Sequence, residues 1–270
     1  MHSPEERAER RRGSLIWVWT AFVIVVIYLP VACGMLASVN KSRYFLFPVK
    51  QYSFSWWQRT GDSIEIAQLV KTSLLMAGIV TLVAVAIAFF GALAYARYDW
   101  KGRKLYQKIV LLPIFFPQPV LGLALLLWFN ALGIQMSWKT AVFAHLVWIV
   151  PVVTLVMAIQ MYSFDPSLEE AAYDLGGSRL QVLREVTLPI LWPGIWSGAL
   201  FAFLLSWGNF PLSLYTTGAD TAVPEWLYAK MVAGYTPMVP ALGSMATIGA
   251  AALLVVGGTL AALIRRRRAT

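Results

Sequence analysis

The chain has 270 residues, of which 59% are apolar and only 13% are charged, and its formal net charge is +9. Soluble proteins average roughly 45–50% apolar and about 25% charged residues, so these charges are too few to cover a water-facing surface. The composition therefore excludes a soluble domain, and it also excludes low-complexity disorder, which lacks apolar residues. A single cysteine, Cys33, excludes an internal disulfide framework and a cysteine-based metal site.

Six long stretches without Asp, Glu, Lys or Arg are the main signal in the sequence. Each is long enough for one membrane crossing, which takes about 20 apolar residues in a helix, and none is comfortably long enough for two. Backbone polar groups in lipid must be satisfied within the segment, so we predict an all-α membrane protein with six transmembrane helices. Their approximate ranges are 15–37, 70–96, 106–130, 140–163, 193–215 and 241–264.

The basic residues are unevenly distributed about these predicted spans. Fifteen of the twenty-two Lys and Arg residues fall on the side that holds both termini. Cytoplasmic loops carry the excess of Lys and Arg in membrane proteins, so we expect both termini in the cytoplasm, which agrees with an even number of spans. The positive charge then reflects topology, and we expect no nucleic-acid partner for the Arg tracts.

Basic segments flank the transmembrane domain. We predict a cytoplasmic N-terminus at 1–13, a six-helix domain at 14–264 and a cytoplasmic tail at 265–270. The apolar run after Arg10–Arg12 is longer than the apolar core of a signal peptide, so we expect an uncleaved first helix.

The cytoplasmic loop 164–190 carries most of the information outside the spans. Asp165 and Pro166 suit an N-cap and a first helical position, and they predict a short helix at 166–175 that Gly176 and Gly177 end. Ser178 and Gln181 form a capping-box pattern for a second short helix, which Thr187-Leu188-Pro189 is expected to end. Both helices are amphipathic, so the loop either binds a partner or lies against the membrane.

The same loop resembles a known signature. Glu170-Ala171-Ala172, Gly176 after three residues, and Val186-Thr187-Leu188-Pro189 after nine more resemble the EAA motif, with Val186 in place of Ile as the only departure. This motif marks the permease subunits of binding-protein-dependent ABC importers, and the resemblance extends over essentially the whole chain. It is closest to the smaller permease of spermidine/putrescine-type systems, and it implies the type I importer permease architecture.

The resemblance implies a mechanism for the loop. In this family the helix before the glycine docks in a cleft of a cytoplasmic ATPase and transmits ATP-driven closure to the membrane helices. Glu170 would contact the ATPase or cap the loop, Ala171 and Ala172 would permit close approach, and Gly176 would permit the turn. The residues that the resemblance assigns to ATPase coupling are Glu169, Glu170, Ala171, Ala172, Asp174, Gly176, Arg179, Leu183, Leu188 and Pro189.

The chain carries no signature of its own ATP chemistry. A P-loop requires a Gly-Lys pair, and the sequence contains none. No catalytic or metal-ligating cluster stands out, so we expect a transport subunit that is not itself an enzyme and binds no cofactor, with ATP and Mg²⁺ held by a partner ATPase. The implied partners are an ATPase dimer, a second and different permease chain, an extracytoplasmic solute-binding protein and the lipid of a bacterial inner membrane.

Polar residues inside the spans are candidates for a translocation path. Pro113, Pro117 and Pro119 surround Gln118 and are expected to break the third span, while Pro211 is expected to kink the fifth. We favour a cavity-facing role for Gln118 and Asn209 and a helix–helix hydrogen bond for His145, although either reading applies to each. The predicted path consists of Gln118, Ser206, Trp207, Asn209, Phe210 and Tyr215.

Two residues of the fifth predicted span bear on the identity of the substrate. Polyamine permeases that this chain resembles carry a carboxylate pair where it has Gly208-Asn209. A polyamine-like or amino-acid-like solute is the first expectation, and a non-cationic solute moved by the same machine is the alternative. A secondary transporter or channel, and a membrane scaffold or intramembrane enzyme, are the other classes of function.

Two outer segments complete the prediction. Loop 38–69 holds aromatic side chains that suit anchors at the membrane–water boundary, with contact to a binding protein as the alternative; they are Tyr44, Phe45, Phe47, Tyr52, Phe54, Trp56 and Trp57. Segment 223–234 is predicted as a short outer helix with Pro224 near its start, and the family resemblance sets it beside the outer gate.

Overall fold

The structure is a computed structural model that describes residues 4–44 and 48–267, with side chains described for 15–44 and 48–259. Phe45, Phe47 and parts of both predicted basic terminal segments lie outside these ranges. Within them the regular secondary structure is helical, apart from one antiparallel bridge between Asn40 and Tyr52. The helices are α1 Pro4–Ser38, α2 Ser55–Gly61, α3 Ile64–Ala96, α4 Arg103–Leu111, α5 Gln118–Ala131, α6 Trp138–Tyr162, α7 Ser167–Asp174, α8 Arg179–Val182, α9 Leu188–Trp207, α10 Phe210–Thr216, α11 Val223–Ala233 and α12 Met238–Arg267.

Among the described residues, five helices are long and apolar enough to cross a membrane, and the number is six if one bent pair of helices counts as a single span. The five are Leu15–Ser38, Ile64–Ala96, Trp138–Tyr162, Arg179–Trp207 and Met238–Thr259. The predicted all-α, multi-pass fold is confirmed.

The predicted third span, 106–130, is not a single helix in the structure. Helix α4 and the 3₁₀ turn Leu112–Phe115 meet α5 at an angle of 101°. Pro117 restricts the residue before it to extended backbone, and Phe116 accordingly has a ψ of 132°. The prolines therefore divide this span into two helices.

Two predictions about the fifth span were wrong. The second short helix of the 164–190 loop does not end at 187–189, because the π-helical turn Leu183–Thr187 carries it directly into α9. The helix then stops at Trp207 and does not continue to residue 215, and Pro211 lies in the first turn of a separate helix, α10. Proline lacks only a donor that the first helical turn leaves unused, so Pro211 starts a helix instead of kinking one.

Residues 64–229 and 250–267 form one compact unit. Its core lies between α3, α6 and α9, and α10 packs on α5 and α6. Gly194 and Gly198 of α9 face α6, where an added Cβ would lie 2.5 Å from Gln160 Cγ and 2.9 Å from Met157 Cε respectively. This small-xxx-small spacing lets two membrane helices approach closely.

Residues 4–44, 48–63 and 230–249 form the second compact unit. The apolar side chains of α1 from Leu15 to Val31 are largely exposed, as expected of a helix that contacts lipid or another subunit. After α1 the chain turns back, and Trp57 Nε1 of α2 donates a hydrogen bond to Ser38 Oγ (3.1 Å). Tyr44, Tyr52 and Phe54 are exposed, and their predicted role at the membrane boundary stays a prediction.

Candidate functional site

The loop 164–190 between α6 and α9 contains α7, which begins at Ser167, one residue after the predicted start at Pro166. The N–H of Ser167 donates to Asp165 Oδ1 (3.0 Å), while Pro166 holds the N-cap position predicted for Asp165. This backbone hydrogen bond is the main reason that the pKa of the exposed Asp165 carboxyl lies below its ordinary value.

A Schellman turn ends α7. The N–H of Gly176 donates to Tyr173 O (2.9 Å) and the N–H of Gly177 to Ala172 O (3.0 Å), while Gly176 has a left-handed φ of +84°. The predicted capping box follows, in which Ser178 Oγ accepts from the N–H of Gln181 and Gln181 Oε1 accepts from the N–H of Ser178. The local structure predicted for this loop is therefore confirmed up to α8.

The two neighbouring carboxylates of α7 have different surroundings. Glu170 is exposed. Glu169 Oε1 accepts a hydrogen bond from Thr187 Oγ1 (2.5 Å), and Glu169 Oε2 lies 3.4 Å from Arg97 Nη2, just beyond the end of α3. The sequence assigned Glu169 to coupling without predicting these partners, because Arg97 is distant in the chain and no local pattern links the two residues.

The outer face of the loop is apolar and uncovered. The side chain of Leu175 is 90% exposed, and Leu168, Tyr173 and Leu180 are also exposed. Ala171, Asp174 and Arg179 are exposed beside them, and Ala172 is half-buried. Clustered apolar side chains on a polar loop mark an interaction surface.

The remaining residues assigned to coupling face the membrane bundle. Leu183 and Leu188 pack against the core of α3, α6 and α9, and Pro189 is half-buried. The loop therefore has an outer face of exposed residues and an inner face that belongs to the bundle.

The predicted path residues gather mainly around the break between α9 and α10. Ser206 and Ser213 lie on opposite sides of the break, and their hydroxyls lie 2.9 Å from Nδ1 and Nε2 of the fully buried His145. The helix–helix hydrogen bond favoured for His145 is thus confirmed. Asn209 is buried and its Oδ1 accepts from the N–H of Leu212 (3.1 Å), which caps α10.

The other path candidates are half-buried aromatic residues and one amide. Trp207 stacks parallel to Phe203 with ring centroids 6.3 Å apart, and Phe210 contacts Tyr228 at 4.7 Å. Tyr215 lies against Gly122 of α5, one helical turn beyond Gln118 at the start of the same helix. Helix α10, which follows the break, packs on α5, which begins at Gln118.

A buried carboxylate holds the segment before α11. Glu225 Oε2 accepts from the N–H of Ala222 (2.7 Å), and Glu225 Oε1 lies 2.5 Å from Thr217 Oγ1. Burial raises the pKa of the Glu225 carboxyl, although both hydrogen bonds oppose that rise. Thr217 Oγ1 also donates to Ser213 O (2.9 Å). A threonine hydroxyl has one hydrogen, so Thr217 Oγ1 donates to one of these two acceptors at a time.

Comparison with known proteins gives consistent relatives. The family model of the binding-protein-dependent transport system inner membrane component matches residues 85–270. The spermidine/putrescine transport system permease protein PotC of Haemophilus influenzae is 28% identical over 247 residues, which cover 90% of this chain and 96% of that protein. The putrescine transport system permease protein PotI of Escherichia coli is 28% identical over 227 residues, which cover 81% and 80% respectively.

A solved structure extends the comparison to the fold. One chain of the bacterial alginate ABC transporter, crystallised in complex with an alginate pentasaccharide-bound periplasmic protein, matches with a TM-score of 0.74 at 16% identity. The match covers 97% of this chain and 98% of that chain. This chain belongs to the binding-protein-dependent transport system inner membrane components, as a permease of the ABC importer type that is similar to the polyamine permeases PotC and PotI.

Proposed function

We propose that this chain is the membrane-spanning permease subunit of an ATP-driven importer and moves a small solute by alternating access. ATP is hydrolysed on a separate ATPase dimer, and the solute arrives on an extracytoplasmic binding protein. A second, different permease completes the path across a bacterial inner membrane, with both termini of this chain in the cytoplasm. The family membership and the uneven distribution of basic residues support this assignment.

The exposed face of the 164–190 loop is the observation that carries the coupling role. It combines uncovered apolar side chains with the outward carboxylate of Glu170, while the inner face of the loop packs on the bundle. An apolar surface next to a charge suits docking on a protein, because the apolar contact supplies affinity and the charge fixes the orientation. We therefore assign this face to the ATPase.

We propose a small organic amine of the spermidine and putrescine class as the solute, since the relatives PotC and PotI are named for these compounds. One observation favours a non-cationic solute instead. Gly208 and Asn209 occupy the break between α9 and α10, and Asn209 is a buried cap that carries no charge. Radiolabelled putrescine uptake into cells with and without the complex separates the two.

Charge reversal at Glu170 tests the coupling assignment. In the complex reconstituted with its ATPase, we expect Glu170→Arg to abolish the stimulation of ATP hydrolysis by the loaded binding protein. Asp99→Arg is a matched control, because Asp99 is a fully exposed carboxylate in the segment between α3 and α4. Full stimulation in Glu170→Arg, or equal loss in Asp99→Arg, would refute the assignment.

A further inference from the structure

The two carboxylates of α7 divide their roles between the two faces of the loop. The side chain of Glu170 is exposed and therefore accessible to a partner. The side chain of Glu169 is only 21% exposed and reaches two other elements of the same chain. One of these contacts lies just beyond the end of α3, and the other lies where the π-helical turn passes into α9.

The contact with α9 is a direct hydrogen bond. Thr187 is buried, and its hydroxyl donates to Glu169 Oε1 at 2.5 Å. Thr187 is the last residue of the π-helical turn, an irregularity that often occurs in helices at functional positions. Loss of this hydroxyl leaves a partly buried carboxylate oxygen without its donor.

The contact with α3 is electrostatic. The Arg97 side chain is only 11% exposed, its guanidinium carbon lies 4.2 Å from the centre of the Phe164 ring, and its Nη2 lies 3.4 Å from Glu169 Oε2. No described residue accepts a hydrogen bond from Arg97 Nε. A guanidinium held this far from water needs a counter-charge, and among the described residues the carboxylate of Glu169 lies within ion-pair distance of it.

We propose that Arg97, Glu169 and Thr187 form a latch that makes α7 move together with the cytoplasmic ends of α3 and α9. The proposal rests on the function proposed above, because the displacement that it transmits is the one that the ATPase imposes on α7. One carboxylate with an oxygen toward each helix ties both spans to α7 at a single point. Glu169 and its partners are positioning residues, whereas the outward Glu170 belongs to the docking face.

Paired spin labels measure this movement directly. The exposed positions Leu175, at the end of α7, and Ile190, in α9, are replaced by cysteine in a Cys33→Ser background. Pulsed electron paramagnetic resonance then measures the distance between the two labels in the complete complex. The measurement compares the nucleotide-free state with the state trapped by MgATP and vanadate. With an intact latch, we expect one narrow distance that is the same in both states.

Variants at Thr187 and Glu169 separate the latch from general stability. We expect Glu169→Gln and Thr187→Val to lose the single narrow distance, and Thr187→Ser to restore it because the hydroxyl returns. Thr154→Val is the matched control, since the hydroxyl of Thr154 donates only within its own helix, to Val150 O. Thermal unfolding of each complex shows whether the latch variants change the distance without a general loss of stability.

Each outcome decides the proposal. A narrow, unchanged distance in both Glu169→Gln and Thr187→Val overturns the latch, as does a wild-type distance that already differs between the two states. If the Glu169→Gln complex does not assemble, the comparison of Thr187→Val with Thr187→Ser still tests the latch. If Glu170→Arg keeps full stimulation of ATP hydrolysis, the proposed coupling function fails, while the nucleotide-free distances continue to test the latch.

Discussion

Gly176 offers a well-defined perturbation, because its substitution changes the backbone energy without a steric clash. Its φ of +84° lies in the left-handed region, and an added Cβ would meet no atom within 4 Å. A non-glycine residue pays about 1–2 kcal/mol for this conformation, and a β-branched residue lies at the upper end. Asparagine tolerates this conformation better than other non-glycine residues. We therefore expect the loss of coupling to increase from Gly176→Asn to Gly176→Ala to Gly176→Val.

That energy translates into a population. About 1.4 kcal/mol is a factor of ten, so Gly176→Val should lower the fraction of loops with the docking geometry by about tenfold or more. The assay is the stimulation of ATP hydrolysis by the loaded binding protein in the reconstituted complex. We expect that stimulation to fall in the stated order while subunit assembly is retained.

Gly133 provides a matched control for the same substitution. It also has a left-handed φ, +69°, with no atom within 4 Å of an added Cβ, but it lies in the turn between α5 and α6. Gly133→Val should therefore cost similar stability and leave the coupling intact. Wild-type coupling in Gly176→Val, or equal uncoupling in Gly133→Val, would refute the reasoning.

Three further predictions concern the outer segment and the region around the α9–α10 break. Burial raises the pKa of the Glu225 carboxyl, so the folded state binds the carboxyl proton more tightly than the unfolded state does. The stabilisation that results should be lost as the pH rises through the raised pKa. The apparent unfolding temperatures of wild type and Glu225→Gln, plotted against pH, should therefore differ in slope over that range. His145→Leu removes two interhelical hydrogen bonds worth about 0.6 kcal/mol each, so we expect the free energy of unfolding to fall by about 1 kcal/mol, and an unchanged value in detergent contradicts this. Cysteines at Gln118 and Asn209 should react with a water-soluble maleimide in at least one transport state, whereas lack of reaction at both in every state argues against a lining role.

Local structure in the 164–190 loop could be predicted from the sequence. The glycine after α7 and the Ser178–Gln181 pair act through backbone donors within a few residues, so their structures follow from neighbouring residues alone. The long spans were equally accessible, because apolar length alone indicates a crossing. These features established the fold class and the place of the loop.

The ends of the helices depended on contacts that a local pattern does not contain. Pro211 looked like a kink in one long helix, but the helix stops at Trp207, and α10 is held in place by the buried His145 through Ser213. Likewise, the expected stop at 187–189 is bridged by a π-helical turn that packs on the bundle. Tertiary packing determined both boundaries.

The different surroundings of the two carboxylates on α7 could not be predicted from the sequence. Glu169 and Glu170 are adjacent, and only the folded chain shows that Arg97 and Thr187 approach the first and not the second. The motif identified the loop as a whole, whereas the division between an inner and an outer face required the positions of α3 and α9.

Crosslinking between the loop and the ATPase tests the central claim most directly. Leu175 is the most exposed apolar residue of the loop, so Leu175→Cys in a Cys33→Ser background places a single reactive thiol on the assigned docking face. We predict that a short bismaleimide joins this thiol to a cysteine in the ATPase cleft, and that Leu105→Cys, exposed on α4, does not crosslink. Failure of Leu175→Cys to crosslink in the assembled complex, or equal crosslinking from Leu105→Cys, would contradict the account.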